Sequence, residues 1–530
     1  MNGNALIRIL ATFGLLLASL WVAFDIFTSG SNAVARFYMY TLVVAGFYGL
    51  LNARKAFYVL LFLTGYLDFF KRLMIFDSGV SRMDLYYVLG IAPATLCGIA
   101  GNILYQHFTG KLRVRPGINR LIITVTLCTA GATLLALTTG SGSYRSLGDT
   151  VNATIYLLLL FVIPVLFRTP EDIRHMLKIL VLLFIPAVCY MLMHHFRGGI
   201  LDWEMEYVKS GLTIEIRQLS ERKFRPFGTM NSAANASMVF AGILALCCSG
   251  LWNKPDRDGR TASFPMRFVL IPMLAVAMYA TLSRTGWVFA VLAVLAAPMM
   301  KHRLLTLTGY IAAVSSFVAI ILASGYILRH RLLNEWSEEV YRSKRTNEWA
   351  QTTNISTLND RLEGFESLVK EPRAWTPLGL KLSSHTASSV YSNVSSHDMF
   401  TDLLLNYGYV TMLAVGIFLF RQLWRLHRLV FYEPEPLTRA IAGTCLALGL
   451  AITSGATVNG AQFSTYPVNF FIWFNFAIVV ALHTYIRERE AAQAPSATAE
   501  PPPWMRHNPM RVAPARQGQG PMPVPAHAKV

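Results

Sequence analysis

Long uninterrupted apolar runs constrain this chain more than any other feature. They recur at roughly 18–25 residues, the length a helix needs to cross the hydrocarbon layer of a bilayer. Composition agrees. Of the 530 residues, 54% are hydrophobic and only 14% are charged, against about 25% charged in a soluble domain. Mean hydropathy is +0.43. The fold class predicted is an all-α polytopic membrane protein of about 14 spans. Their limits fall near 5–27, 34–52, 56–75, 84–106, 118–138, 150–167, 174–195, 233–252, 264–282, 285–300, 303–328, 399–423, 437–456 and 465–486. Asp68, Lys71 and Arg72 interrupt the third, which makes it the least regular. The first run is too long for a signal-peptide core and reads as a retained span.

The formal net charge of +18 would suit a nucleic-acid binder. Its placement excludes that class. Lys and Arg concentrate in alternate short loops, at 52–55, 110–120, 168–178, 253–267, 301–303 and 421–428, whereas 28–32, 141–149 and 455–463 are nearly neutral. Such alternation marks the basic set as cytoplasmic. With an even span count, both termini are then cytoplasmic. The segments 196–232 and 329–398 and the turn at Ser283–Arg284 fall together on the outer side. Cys97, Cys128, Cys189, Cys247, Cys248 and Cys445 lie within apolar runs, so they read as buried packing residues and not as disulfides or metal ligands. The domain order predicted is helices 1–11 over 1–328, an outer loop over 329–398, helices 12–14 over 399–486, and a tail over 487–530. The tail is rich in Pro, Ala and Gln, has nothing to build a core from, and is expected to be disordered.

Within the outer loop, Leu332, Trp336 and Val340 form one helical stripe, and Leu362, Phe365, Leu368 and Val369 a second. Asp360 and Glu363 suit the start of that second helix and Pro372 its end. Two short surface helices are expected.

Several outer-side residues are equipped for chemistry. Arg284 sits in a turn between two apolar runs, where an arginine is either functional or snorkels to the surface. Flanking Ser283, Thr285 and Gly286 provide no long apolar anchor, which favours function. Arg225 precedes a Pro226–Phe227–Gly228 turn and a helix start for which Thr229, Asn231 and Ser232 are candidate caps. Free N–H groups beside a guanidinium suit phosphate; an ordinary capped helix near a basic cluster fits this segment equally well. His397 stands just before the span that opens near Phe400. A helix N-terminus keeps imidazole neutral and able to accept a proton, while Asp398 beside it pulls the other way. Alone, His397 would read as an interfacial histidine. Asp402 and Asn406 follow at helical spacing, and an intramembrane Asp needs a partner. The pair Asp256 and Asp258 lies in a basic cytoplasmic loop, so a metal-holding role is rejected. Asp360, Glu363 and Glu366 read as a cap and a solvated face. No metal or cofactor motif is present.

The order of these features resembles the O-antigen ligase and polymerase superfamily of bacterial envelope glycosyltransferases. The correspondence runs through Arg225, Gly228 and Asn235 before a span, then Ser283, Arg284, Thr285 and Gly286 in a turn. It continues through a long loop with Arg361, Pro377, Gly379 and a terminal His397, and then Leu404 and Gly408. It covers about 220 to 410. Asp398 stands where family members often carry Asn, a departure that bears on the proton-transfer arrangement. The resemblance implies a helical glycosyltransferase of the inner membrane with a periplasmic loop packed over a membrane-level cavity. It also implies inverting transfer of a glycan from undecaprenyl diphosphate to an acceptor hydroxyl on a glycan or lipid, without metal or cofactor. Other polysaccharide-assembly proteins are further candidate partners. In that scheme Arg225 and Arg284 bind diphosphate, Arg361 contacts the donor from the loop, His397 is the base, and Asn235, Ser283, Asp398 and Asp402 support them. The ligase and the repeat-unit polymerase readings stay open. A lipid-linked glycan flippase is the alternative from another class.

Overall fold

The computed structural model describes residues 3–74, 82–112, 154–209, 218–220, 223–224, 226–252, 254–255, 261–262, 266–281, 283–301, 367–377, 379, 399–456 and 466–493. Residues Met1–Tyr485 form one compact unit, and Ile486–Val530 a second, of which the described part is the end of the last helix.

The protein is helical. Its elements are α1 (Gly3–Thr28), α2 (Ala33–Leu51), α3 (Ala53–Met74), α4 (Arg82–Phe108), a 3-10 turn (Ile155–Leu158) running into α5 (Leu159–Leu166), α6 (Pro170–Leu183), α7 (Ile185–Phe196) and α8 (Asp202–Lys209). They continue with α9 (Ala233–Cys248), α10 (Met266–Ala280), α11 (Arg284–Lys301), α12 (Met399–Tyr432), α13 (Pro436–Ala456) and α14 (Val468–Gln493). Two minimal antiparallel pairs, Gln218–Ser220 with Lys223–Phe224 and Lys254–Pro255 with Thr261–Ala262, sit in connections. Among the described residues, five helical stretches are long and apolar enough to cross a membrane: Ala33–Leu51, Asp84–Phe108, Pro170–Phe196, Met399–Tyr432 and Val468–Gln493. Large apolar side chains line their open faces, as with Val44 and Phe47 on α2 and Leu413, Ile417 and Phe420 on α12. That surface suits lipid and not water.

Every expected span that falls on described residues is helical; 118–138 and 303–328 lie outside them. The expected span 174–195 is two consecutive helices. Thr169 caps α6, accepting from the Asp172 N–H at 3.1 Å, and the chain breaks at Phe184 before restarting at Ile185, with Pro186 in the first turn. α12 runs on to Tyr432, past its expected end at 423, and breaks at Gly408. α3 is continuous despite Asp68, Lys71 and Arg72.

α9 is apolar on all sides and buried along nearly its whole length, as that pattern requires. It packs against α6, α10, α11 and α13. Two sequence expectations need correction. Cys97 and Cys189 are exposed on their helices, while Cys247 and Cys445 are buried. In the loop stripe, Leu368 is buried but Val369 is 75% exposed; with Pro372 so near, only the Leu368 side of this last turn meets the bundle. The stripe at Leu332, Trp336 and Val340, and Leu362 and Phe365 of the second, lie outside the described residues.

Candidate functional site

The most concentrated chemistry in the described bundle lies where α3 ends. Asp68, Lys71 and Arg72 are all buried there, Arg72 to 1% exposure. Three ionisable groups so deep require partners, and the segment between α7 and α9 provides them. Arg72 Nη1 donates to Glu204 Oε1 of α8 at 2.5 Å, and Nη2 donates to the Gly228 carbonyl at 2.5 Å. The guanidinium also lies 4.7 Å from the Phe227 ring centre, close enough for a cation–π contact. Glu204 accepts from Tyr190 Oη at 3.1 Å and from the Leu201 N–H at 3.1 Å, and its Oε2 is 2.8 Å from His194 Nε2. Asp68 Oδ2 accepts from the Asn231 N–H at 3.1 Å. Asn231 Oδ1 in turn accepts from Tyr207 Oη at 2.9 Å and from Lys71 Nζ at 3.5 Å. Two carboxylates thus face two cations. Burial pushes the Glu204 carboxyl up, but the His194 hydrogen bond, the Arg72 charge and the Leu201 N–H outweigh it and hold its pKa below the ordinary 4.5.

This cluster holds the turn that delivers the chain to α9. Gly228 has φ +58, a left-handed conformation that favours glycine. Of the three candidate caps, Ser232 takes the role, its Oγ accepting from the Asn235 N–H at 3.1 Å. Asn235 sits in the first turn of α9, 6% exposed, and its Nδ2 has no partner among the described residues.

α11 meets α9 close to both their starts. After α10 ends, Thr281 Oγ1 donates to the Met278 carbonyl at 2.7 Å and accepts from the Ser283 N–H at 3.2 Å. That tight turn buries Ser283 and opens α11 at Arg284. Gly286 lies against Ser237 so closely that a Cβ on the glycine would overlap the serine hydroxyl. Two helix N-termini, each with free N–H groups and a positive dipole end, therefore converge. Such an arrangement attracts an anion.

A third group forms at the start of α12. Asn406 Nδ2 donates to Asp402 Oδ1 at 2.7 Å, and both residues are buried. Gly408 (φ +84) breaks the helix, and Gly379 (φ +85) fits against it: a Cβ on Gly379 would lie 2.5 Å from the Asn406 carbonyl oxygen, and one on Gly408 would overlap the Pro377 carbonyl. The Tyr409 N–H donates to the Thr376 carbonyl at 3.0 Å. Leu368 and Ala374 pack on Leu404 and Leu405. The described part of the long loop, 367–377 and 379, is thereby seated on α12, backbone to backbone.

Of the residues singled out from the sequence, Asn235 and Ser283 are placed at the paired helix starts, with Arg284 as the first residue of α11. Asp402 is placed in the first turn of α12. Arg225, Arg361, His397 and Asp398 lie outside the described residues, as do Asp256, Asp258, Asp360, Glu363 and Glu366. Sequence reading missed the cluster around Arg72. Its signal was present, since three charges in one apolar run demand partners, and a histidine near the end of α7, His194, and an acidic residue in α8, Glu204, stand close together further along the chain. Comparison with models of known families finds no match, and comparison with curated proteins finds none either.

Proposed function

We propose that this protein is an inner-membrane glycosyltransferase of the O-antigen ligase type. It moves a glycan from undecaprenyl diphosphate to an acceptor hydroxyl at the periplasmic face, in lipopolysaccharide O-antigen or exopolysaccharide synthesis. About fourteen spans and two cytoplasmic termini belong to the same reading. The observation that carries it is the contact between Ser237 and Gly286, which pairs the starts of α9 and α11. It supports an anion site where the two motif segments of the sequence meet.

In the proposed reaction, His397 takes the proton of the acceptor hydroxyl. The oxygen attacks the anomeric carbon, a new C–O bond forms, and the bond from that carbon to the diphosphate oxygen breaks. One displacement inverts the anomeric centre. The departing diphosphate gains negative charge, which Arg225, Arg284 and Arg361 meet with bidentate, charge-assisted hydrogen bonds. The positive ends of α9 and α11 add to them, and preorganised donors of this kind lower the barrier where charge develops. A divalent cation is not required in this scheme. Asn235, Ser283, Asp398 and Asp402 support the site.

The test is purified full-length protein with preformed lipid-linked glycan and acceptor in detergent, without a membrane gradient. Transfer is expected, and its loss in Arg284→Ala and His397→Ala. Absence of transfer, with movement of the lipid-linked glycan across vesicle membranes, would replace the enzyme by a flippase. A deletion strain separates the two enzyme readings: long chains retained on the carrier indicate a ligase, single repeats a polymerase.

A further inference from the structure

We infer that Arg72 is a positioning residue for the diphosphate site, acting through the Phe227–Ser232 turn. This rests on the diphosphate reading above. The guanidinium divides its two Nη groups between the beginning and the end of the outer segment: one holds Glu204 in α8, the other the Gly228 carbonyl beyond the antiparallel pair. From Gly228 the chain is fixed nearly residue by residue. The Met230 N–H donates to the Phe227 carbonyl at 3.1 Å, the Asn231 N–H to Asp68, and the Asn235 N–H to the Ser232 cap. The next groups along are the remaining first-turn N–H groups of α9 and the Asn235 amide, whose Nδ2 has no partner among the described residues. Arg72 itself is buried against Phe227 and touches none of these anion-facing groups. Its effect on a phosphoryl oxygen therefore travels through the turn.

The fork is what the position needs. A lysine can keep a charge opposite Glu204, but a single ammonium on a flexible stem does not hold a carboxylate and a carbonyl in fixed relative geometry. A small displacement of a positioned group is enough to cost about 100-fold in such a site.

The measurement is transfer kinetics of the full-length protein with the lipid-linked donor and the acceptor varied separately, alongside amide hydrogen exchange. Arg72→Lys is expected to raise donor KM about tenfold or more, leave acceptor KM unchanged, and speed exchange over 230–235. Gly228→Ala strains the same turn at φ +58 with the Arg72 side chain itself unaltered, and should move donor KM in the same direction. A fall in apparent kcat with both KM values and exchange over 230–235 unchanged means a smaller active fraction and overturns the role. So does unchanged donor KM in both variants. A wild type that transfers nothing overturns the diphosphate reading and this role with it, whereas a transferring wild type with indifferent variants overturns the role alone.

Discussion

Glu204 shows how much one side chain is asked to do. It joins Arg72, His194, Tyr190 and the Leu201 N–H in a space closed to solvent. Removing one partner of a buried pair costs about 3–5 kcal/mol, because the other charge stays buried. Arg72→Met is expected to lower thermal stability by an amount in that range, read by unfolding in detergent. The folded-state pKa of Glu204 is held below 4.5. Its contribution is thus complete above that value and is lost as pH falls through the lower folded pKa. Acid melting curves should show a steep limb below about pH 4.5 that Glu204→Gln flattens. A variant as acid-sensitive as wild type would remove Glu204 from that account. The residue scale is also where sequence and structure part. Arg225, Arg284 and His397 stand out because they sit in short motifs that loop charge assigns to a single side. Glu204 and His194 do not, because nothing in their local sequence says that they point inward, and their partner Arg72 is 132 residues from Glu204.

Among elements, the motif glycines act as contact points. Gly286 lets α11 lie on Ser237 of α9, and Gly379 with Gly408 lets the loop segment at Pro377 and Gly379 enter the break in α12. Gly286→Val should separate the two helices at a cost of about 1–3 kcal/mol. Gly408→Ala adds a Cβ both at φ +84 and against the Pro377 carbonyl, so it should destabilise by at least about 1–2 kcal/mol. Gly242→Ala and Gly416→Ala, where a Cβ meets nothing within 4 Å, serve as controls and should melt like wild type. Equal melting of Gly286→Val and Gly416→Ala would show that the α9–α11 contact is not tight. Helix positions were legible from apolar run length, and the tight turn before Arg284 from the lack of room between two runs. The break in α6–α7 and the long continuation of α12 were less legible, because apolar length alone does not register a local kink.

At the scale of the molecule, loop charge predicts the orientation. Cysteines introduced at 141–149 and 455–463 should react with an impermeant reagent from outside sealed membranes of native orientation, and those at 110–120, 253–267 and 421–428 only after lysis. The opposite pattern would invert the protein and move the paired helix starts to the cytoplasm.

The cluster beneath α8 has a further consequence for synthesis. α3 leaves the ribosome carrying Asp68, Lys71 and Arg72 long before Glu204 and the Gly228 carbonyl exist to meet Arg72. Such a charge costs about 2.5–3.5 kcal/mol at the middle of a lipid-facing helix and less towards an end, so the three together, in the last two turns of α3, oppose its release into lipid. The nascent α3 should therefore stay in the insertion machinery or at the membrane surface until α8 and the turn after it arrive. Chains halted before 202 should leave the end of α3 accessible to water-soluble labels, and chains extended past 232 should close it. Assembly of this bundle would then be timed by a salt bridge.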